Sequence, residues 1–143
     1  MTKQTPPPLF EPVVGDDGLA SLPWILHFNQ GYLGDTGTDW TPTFTSLTSV
    51  GTPTITGRYF KISQSLCYFR IKITPATNTS ATAGTTYCDN FPLNFTQDGF
   101  TIGVTTNTLF GGGSIDAGAQ RIYTPSWTTI TSAVTLLGVV EAR

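Results

Sequence analysis

One stretch of the chain, residues 57–73, alternates large apolar side chains with polar or basic ones at a period of two. A β-strand with one face on a core and the other in water has this period, because successive side chains point to opposite faces. In the second half of the stretch the predicted core positions are Cys67, Phe69, Ile71 and Ile73, and the predicted outer positions are Tyr68, Arg70 and Lys72. The polar triplet Ser63-Gln64-Ser65 separates two such runs, so the sequence predicts a β-hairpin.

In the first half of this hairpin, Phe60 and Ile62 are predicted to cover the same core, while Tyr59 and Lys61 point the other way. Four of the seven basic residues of the chain lie in the hairpin, namely Arg58, Lys61, Arg70 and Lys72. One sheet face is therefore predicted to be locally basic, with Tyr59 and Tyr68 beside the cations. Basic and aromatic side chains together on a sheet can bind single-stranded nucleic acid. A pI near 5.0 favours a solvated face with cross-strand pairs instead, so no nucleic-acid partner is expected.

The composition favours a protein that is covered by neighbours. Charged residues make up only 11% of the 143 residues, against a usual share of about 25%. Threonine occurs 27 times, and together with aromatic and turn residues it favours many short strands. A surface with few charges and many uncharged polar groups suits a protein covered by copies of itself or by a larger assembly.

The location of the protein and the redox state of its two cysteines are predicted from the sequence. No run of 18 apolar residues is present, so no membrane span and no membrane partner are expected. The first eight residues lack the apolar segment of a secretory leader, which predicts assembly in a cytoplasm. Cys67 and Cys88 could pair, but Cys67 fits the core row of its strand, so two reduced thiols are predicted.

Residues 1–39 are predicted to form an N-terminal segment ahead of a β-domain over residues 40–143. Its first part is an extended arm, because prolines fix the backbone and apolar groups project from it. The residues predicted to anchor this arm are Pro7, Pro8, Leu9, Phe10 and Val13. The arm is either a disordered tail or a peptide that docks in a groove on a partner, and its apolar residues favour docking.

A short helix is predicted over residues 21–34, with Ser21 as its N-cap and a glycine at its end. Trp24, Ile25 and Phe28 are among its large apolar residues, and they leave it almost no polar face. An isolated helix of this length is marginal in water, so its side chains need cover. It either packs on the following domain, or it packs on symmetry mates or inserts into a larger structure.

From Trp40 onward the pattern is β throughout, which predicts an all-β fold, an antiparallel β-sandwich or jelly roll. The stretch from Ala133 to Glu141 is apolar on both faces. Both faces therefore need cover, which places this strand at the centre of a sheet or at a subunit interface.

No catalytic, cofactor or metal site is predicted. The only histidine, His27, lies in the apolar helix and is expected to be packed there. Asp89, Asp98 and Asp116 could converge as the carboxylates of a glycosidase do, but each stands in a loop context that favours a turn role. The triplet Gly111-Gly112-Gly113 lacks the lysine and hydroxyl residue of a phosphate loop and is read as a loop or small hairpin. The chain is therefore not expected to be an enzyme.

Several segments, taken in order, resemble small virion proteins of tailed bacteriophages. The segments are Trp40 to Thr43, Gly57 to Ile62, the Thr-rich loop after Pro75, Asn90 to Leu93 and Arg121 to Trp127. The proline-rich arm and the Trp24-to-Phe28 segment also look like a phage attachment segment. The resemblance implies a homotrimer whose N-terminus holds the virion while the β-domain points outward. The predicted anchor to the virion consists of the arm residues named above together with Trp24, Ile25 and Phe28. It implies no catalytic residues.

The predicted function is therefore that of a structural virion protein, a trimeric short tail fibre or receptor-binding appendage. Its expected partners are itself and other virion proteins, either a tail adaptor or nozzle or the capsid. The alternatives are a capsid head fibre or decoration protein, and a module that binds a host surface glycan. Tyr123, Trp127 and the Gly111–Gly113 triplet are the predicted glycan contacts, because aromatic faces stack on sugars. A depolymerase is the least favoured class.

Overall fold

Twelve strands, all paired antiparallel, make up the part of the chain that the structure describes. The structure is a computed structural model, and it describes residues 37–143. The strands are β1 (Thr38–Trp40), β2 (Phe44–Thr45), β3 (Thr48–Val50), β4 (Thr54–Lys61), β5 (Leu66–Thr74), β6 (Asn78–Ala81), β7 (Tyr87–Cys88), β8 (Gly99–Val104), β9 (Leu109–Asp116), β10 (Arg121–Tyr123), β11 (Trp127–Ile130) and β12 (Val134–Glu141). The prediction of an all-β antiparallel domain is confirmed. The predicted arm and helix, with their anchor residues and His27, lie outside the described residues.

Nine strands form one sheet in the order β1-β4-β5-β12-β8-β9-β10-β7-β2. A flat sheet of this size would be about 38 Å wide, because neighbouring strands lie about 4.8 Å apart. Its two edge strands, however, are joined by Thr41-Pro42-Thr43 alone. The four Cα steps from Trp40 to Phe44 reach at most about 14 Å, so the sheet has to curl until its edges approach each other.

The Asn90 side chain ties this edge-to-edge connection to the end of β7. Its Oδ1 accepts a hydrogen bond from the Thr43 amide at 2.9 Å, and its Nδ2 donates to the Thr41 carbonyl at 2.9 Å. The second sheet, in the order β11-β6-β3, is joined to the core through Trp127 of β11. Its indole nitrogen donates to the buried Thr79 hydroxyl of β6 at 3.4 Å.

The predicted hairpin is the β4–β5 pair, and β12 lies beside it on the other side of β5. The four predicted core residues of β5 are fully buried, as the alternation required; they are Cys67, Phe69, Ile71 and Ile73. The central position predicted for the last strand is also confirmed, since β12 pairs with both β5 and β8. Its inner residues are buried, among them Val134, Leu136 and Val140.

The facing predicted for β4 is wrong. Tyr59 lies directly opposite Phe69, and residues that are opposite in an antiparallel pair share a face. Tyr59 therefore packs against the core, whereas Phe60 lies opposite Tyr68 on the outer face. Ile62 is exposed in the connection after β4 rather than buried. A one-residue difference in register reverses every side chain of a strand, and the turn did not reveal which register holds.

Candidate functional site

The outer face of the central strands carries the largest group of exposed apolar side chains in residues 37–143. Successive strands place their outward residues in rows across the sheet. One row contains Phe60, Tyr68 and Val139 on β4, β5 and β12. Because Gly138 pairs with Thr101 in the antiparallel β12–β8 pair, the next residue, Val139, lies opposite Phe100, so the row continues to β8. Phe100 is 66% exposed and Val139 is 50% exposed. We call the surface formed by the outward-pointing residues of β4, β5, β12, β8 and β9 the outer face; it consists of three such rows.

A second row lies one strand repeat away from the first, about 7 Å along the strands. It runs from Arg58 and Arg70 to Leu137 and Ile102. A third row runs from Lys72 through Thr135 to Val104 and then to Leu109, which is strongly exposed. Side chains opposite each other on neighbouring strands are about 5 Å apart, so these residues form one continuous surface.

The apolar residues of β8 face outward because the inner positions admit only small groups. A Cβ on Gly103 would lie 2.5 Å from the Pro125 ring, and the inner Thr101 hydroxyl donates to the Tyr123 carbonyl at 3.1 Å. No large side chain fits on that side, so Phe100 and Ile102 point away from the core. The sequence pattern alone had suggested no such exposure.

Basic residues flank the outer face on β4 and β5. These residues are Arg58, Arg70 and Lys72. The fourth cation of the predicted basic face, Lys61, lies opposite the buried Cys67 and therefore faces the other side of the sheet. The Arg58 guanidinium lies 5.5 Å from the centre of the Phe60 ring. Its Nε is 3.6 Å from a carboxylate oxygen of Asp39 on β1. The predicted locally basic face is thus present with three cations instead of four.

Carboxylates lie at the opposite end of the outer face. Glu141, the last residue of β12, is exposed and shares the outward parity of Val139. On β9, Ser114 lies opposite Phe100 and therefore points outward, and Asp116, two residues later, points to the same face. The face is therefore apolar along β12 and β8, carries Lys72, Arg70 and the Arg58–Asp39 pair toward one end, and carries Glu141 and Asp116 at the other.

Tyr123, one of the two aromatic residues predicted to contact a glycan, belongs to a half-exposed cluster on β7 and β10. It lies opposite Tyr87, with ring centres 5.5 Å apart. The Arg121 guanidinium stacks 4.2 Å from the centre of the Tyr87 ring and donates to the Tyr123 hydroxyl at 3.4 Å. The hydrogen bond from Arg121 to Tyr123 raises the pKa of the guanidinium, which stays charged at every physiological pH.

Trp127, the other predicted glycan contact, is buried. Its side chain is 4% exposed, and its ring lies 5.8 Å from that of Phe110. A sugar needs an open aromatic face for stacking, so Trp127 is corrected from a surface contact to a core residue. The structure does not bring it together with Tyr123 on one open surface. The Gly111–Gly113 triplet, predicted to be a loop or small hairpin, lies in β9, which forms a hairpin with β8.

Of the three aspartates considered, Asp116 accepts a local hydrogen bond in the turn after β9, which is the predicted turn role, whereas Asp98 binds the amide of a residue 19 positions away. Asp98 accepts a hydrogen bond from the Ala117 amide at 2.8 Å, and Asp116 accepts one from the Ala119 amide at 2.9 Å. Residues 37–143 contain no group of three potential metal ligands. Within the same residues, no helix has the length and hydropathy needed to cross a membrane.

Both cysteines are free, as predicted; Cys67 has the buried position that its strand pattern indicated, and Cys88 is buried as well. Burial raises the pKa of the Cys88 thiol, while hydrogen bonding at Asn90 and Thr43 acts in the opposite direction. The Cys88 thiol donates to the Asn90 Oδ1 at 3.1 Å. A buried thiol with a raised pKa is a poor nucleophile, so Cys88 has a packing role.

No family model, curated protein or solved structure matches this chain. The function is therefore inferred from the surface of the protein and from its sequence.

Proposed function

We propose that this protein is a non-enzymatic structural component of a tailed-phage virion, a trimeric short tail fibre anchored through its N-terminal segment. The observation that carries the proposal is the outer face. Apolar residues of β12, β8 and β9 are exposed there, and no other part of residues 37–143 covers them. Monomeric soluble proteins rarely expose contiguous apolar patches larger than a few hundred Å². A surface of this kind favours a protein that works inside an assembly.

The phage context comes from the ordered resemblance of the sequence segments, and the assembly role agrees with the small share of charged residues. We further propose that the curled nine-stranded sheet and the three-stranded sheet form the two layers of a jelly-roll-type sandwich. Assembly would take place in the host cytoplasm, and the mature protein would be located in the virion. A head fibre or a decoration protein of the capsid is the alternative within the same class. Tens of copies or fewer per particle favour the fibre, and hundreds favour decoration.

Deleting residues 1–34 is expected to leave a folded β-domain that no longer joins particles. The physical reason is that the apolar side chains of this segment are proposed to provide the contact with the virion, and several such segments acting together bind far more strongly than one. Particles grown on cells that supply the truncated chain would be purified, and the chain quantified by mass spectrometry. Circular dichroism of the truncated protein controls for folding. Normal incorporation of a folded truncated chain would contradict the proposed anchor.

Carbohydrate binding is a second candidate function, favoured by the cluster of Tyr87, Arg121 and Tyr123. Two tyrosines provide apolar ring surface and hydroxyl groups, and the guanidinium provides paired donors that suit a carboxylate. The cluster therefore favours a sugar that carries a carboxylate over a neutral one.

Replacing Arg121 by Gln is expected to weaken binding of a sialylated oligosaccharide about tenfold, because the paired charge-assisted donors to the sugar carboxylate are lost. Glycan-array screening followed by titration calorimetry measures this effect, with the matching asialo-oligosaccharide as ligand control. Arg143→Gln serves as the control variant, because Arg143 is an exposed arginine outside the cluster. Absence of binding by the intact wild-type protein would remove this candidate function.

A further inference from the structure

We propose that the cluster of Tyr87, Arg121 and Tyr123 binds a sugar that carries an ammonium group as well as a carboxylate. The inference rests on the carbohydrate-binding candidate function and names the substrate class of that site. It depends on two aspartates that flank the arginine, Asp89 and Asp116, because these residues add negative charge on both sides of the group that would bind a carboxylate.

Strand pairing places the two aspartates on opposite sides of Arg121. On β9, Asp116 lies directly opposite Arg121. On the other side of β10, the register pairs Ile122 with Cys88 of β7. The residue after Cys88 is Asp89, which therefore lies opposite Arg121. Side chains in opposite positions on neighbouring strands share a face and have Cβ atoms about 5 Å apart, so the three charged groups form one row, negative, positive and negative.

Both aspartates are placed to bind a ligand. Asp89 is exposed and Asp116 is half-buried. Within residues 37–143, Arg121 forms no ion pair with either aspartate, and its close contacts are with the two tyrosines. The hydrogen bond to Tyr123 is the main cause of the raised pKa of Arg121, and the charge of Asp89 adds to it, so Asp89 acts on the guanidinium. Asp116 binds the Ala119 amide through Oδ1, which leaves Oδ2 for a ligand.

The charges of this row disfavour a ligand that is only an anion. A carboxylate bound to Arg121 would be repelled by the aspartates on both sides. Asp98 adds a further negative charge, because Gly99 lies opposite Ile115 and the preceding residue therefore lies beside Asp116. Like charges that are placed together cost free energy, whereas complementary charges give specificity. An ammonium group about 5 Å from the ligand carboxylate would lie next to an aspartate while the carboxylate contacts the guanidinium.

The two tyrosine rings favour a sugar as the carrier of these charges, because aromatic faces provide apolar surface and hydroxyl groups together. Neuraminic acid is a simple sugar of this class, since it carries a carboxylate and a free amine on one pyranose ring. Its N-acetyl form has the same ring and the same carboxylate but no positive charge. The two sugars therefore differ in the group that the aspartates are inferred to bind.

Titration calorimetry of the full chain with the α-methyl glycosides of these two sugars tests the inference. We expect the wild-type chain to bind the free-amine glycoside about twofold to fivefold more tightly than the N-acetyl glycoside, which is the range that exposed ion pairs give. The double variant Asp89→Asn/Asp116→Asn should bind the two glycosides alike. Asparagine retains a side-chain oxygen that can accept the hydrogen bond from the Ala119 amide, and circular dichroism confirms that the variant is folded.

Glu141→Gln is the matched control, because it also removes one exposed carboxylate. Glu141 lies on β12, three strands from β10 in the sheet, which is about 14 Å at standard strand spacing. The Debye length at physiological ionic strength is about 8 Å, so this charge is screened from the cluster. We expect the control to keep the preference of the wild type for the free-amine glycoside.

Three results would overturn the inference. The first is a wild-type chain that binds the N-acetyl glycoside as tightly as the free-amine glycoside, and the second is a folded double variant that keeps the preference. The third is binding of L-alanine as tight as that of either glycoside, which would mean that the charges are recognised without a sugar. Failure of the carbohydrate-binding candidate differs from these, because the wild type then binds neither glycoside and the inference is removed with it. The proposed virion role is tested separately, by incorporation into particles.

Discussion

Replacing Phe69 by alanine is expected to lower the free energy of unfolding of the protein by about 3–5 kcal/mol. Phe69 is fully buried on β5, and its ring lies 5.6 Å from that of Phe91. The ring also fills the space beside Gly138, where an added Cβ would lie 2.5 Å from it. Removing the ring leaves a cavity between β5 and β12 that backbone glycine cannot fill. Because domains are stable by only about 5–15 kcal/mol, this loss is a large share of the total.

Phe100→Ala is the matched control for this experiment, since it removes the same ring from the outer face. Phe100 is 66% exposed, so its loss should change the stability of a dissociated protomer by about 0.5 kcal/mol or less. Urea unfolding followed by circular dichroism, at a concentration below self-association, measures both values. Similar losses for the two variants would mean that the inner and outer faces of the sheet are wrongly assigned.

The features predicted correctly from sequence depend on short-range physics. The alternation in β5 identified its four core residues because a strand has only two faces, and residues with opposite polarity occupied them. The same reasoning failed in β4, where Tyr59 and Phe60 are both aromatic and either could have faced inward. The pairing of Tyr59 with Phe69 decides between them, and that pairing is a tertiary property.

The outer face was only partly predictable. The two-sided apolar character of residues 133–141 indicated a strand in need of cover on both faces, and residues 37–143 cover only one. In β8 the pattern was misleading, because the inner residues Thr101 and Gly103 are smaller than the outer Phe100 and Ile102. Contacts with Pro125 and Tyr123, which are distant in sequence, determine that the small residues of β8 face inward. The periodicity of β8 itself gives no information about these contacts.

The predicted glycan contacts show the same limit. Tyr123 and Trp127 are four residues apart in a segment with two aromatic residues, and no local pattern separates them. The chain leaves the large sheet at the buried residues Thr124 and Pro125, so Tyr123 lies on β10 of the large sheet and Trp127 on β11 of the small one. Tyr87 and Arg121 join Tyr123 only through strand pairing, so the cluster could not have been identified before the register was known.

Gly113→Ala is expected to destabilise the protein by about 3 kcal/mol or more, at the upper end of what overpacking does in well-packed interiors. Gly113 lies on β9, where an added Cβ would be 2.0 Å from the Tyr123 carbonyl oxygen and 2.6 Å from the Thr101 hydroxyl oxygen. These two groups are hydrogen-bonded to each other across the curled sheet. Room for a methyl group requires the backbone at Tyr123 to move, because a carbonyl cannot rotate away as a flexible side chain does. Thermal unfolding followed by circular dichroism measures the loss.

Gly112→Ala is the control that isolates this close approach, since it makes the same chemical change one residue earlier. The nearest atom to its added Cβ is the Thr101 carbonyl oxygen at 3.5 Å, an ordinary contact, and Gly112 does not have a positive φ. Alanine there restricts the unfolded chain, so we expect a change between zero and a gain of about 1 kcal/mol. If both variants lost stability equally, β9 would need glycine for backbone flexibility, and the close approach at Gly113 would not be the cause. A large loss at Gly113 alone means that the third glycine of the triplet is required where β9 passes under Tyr123.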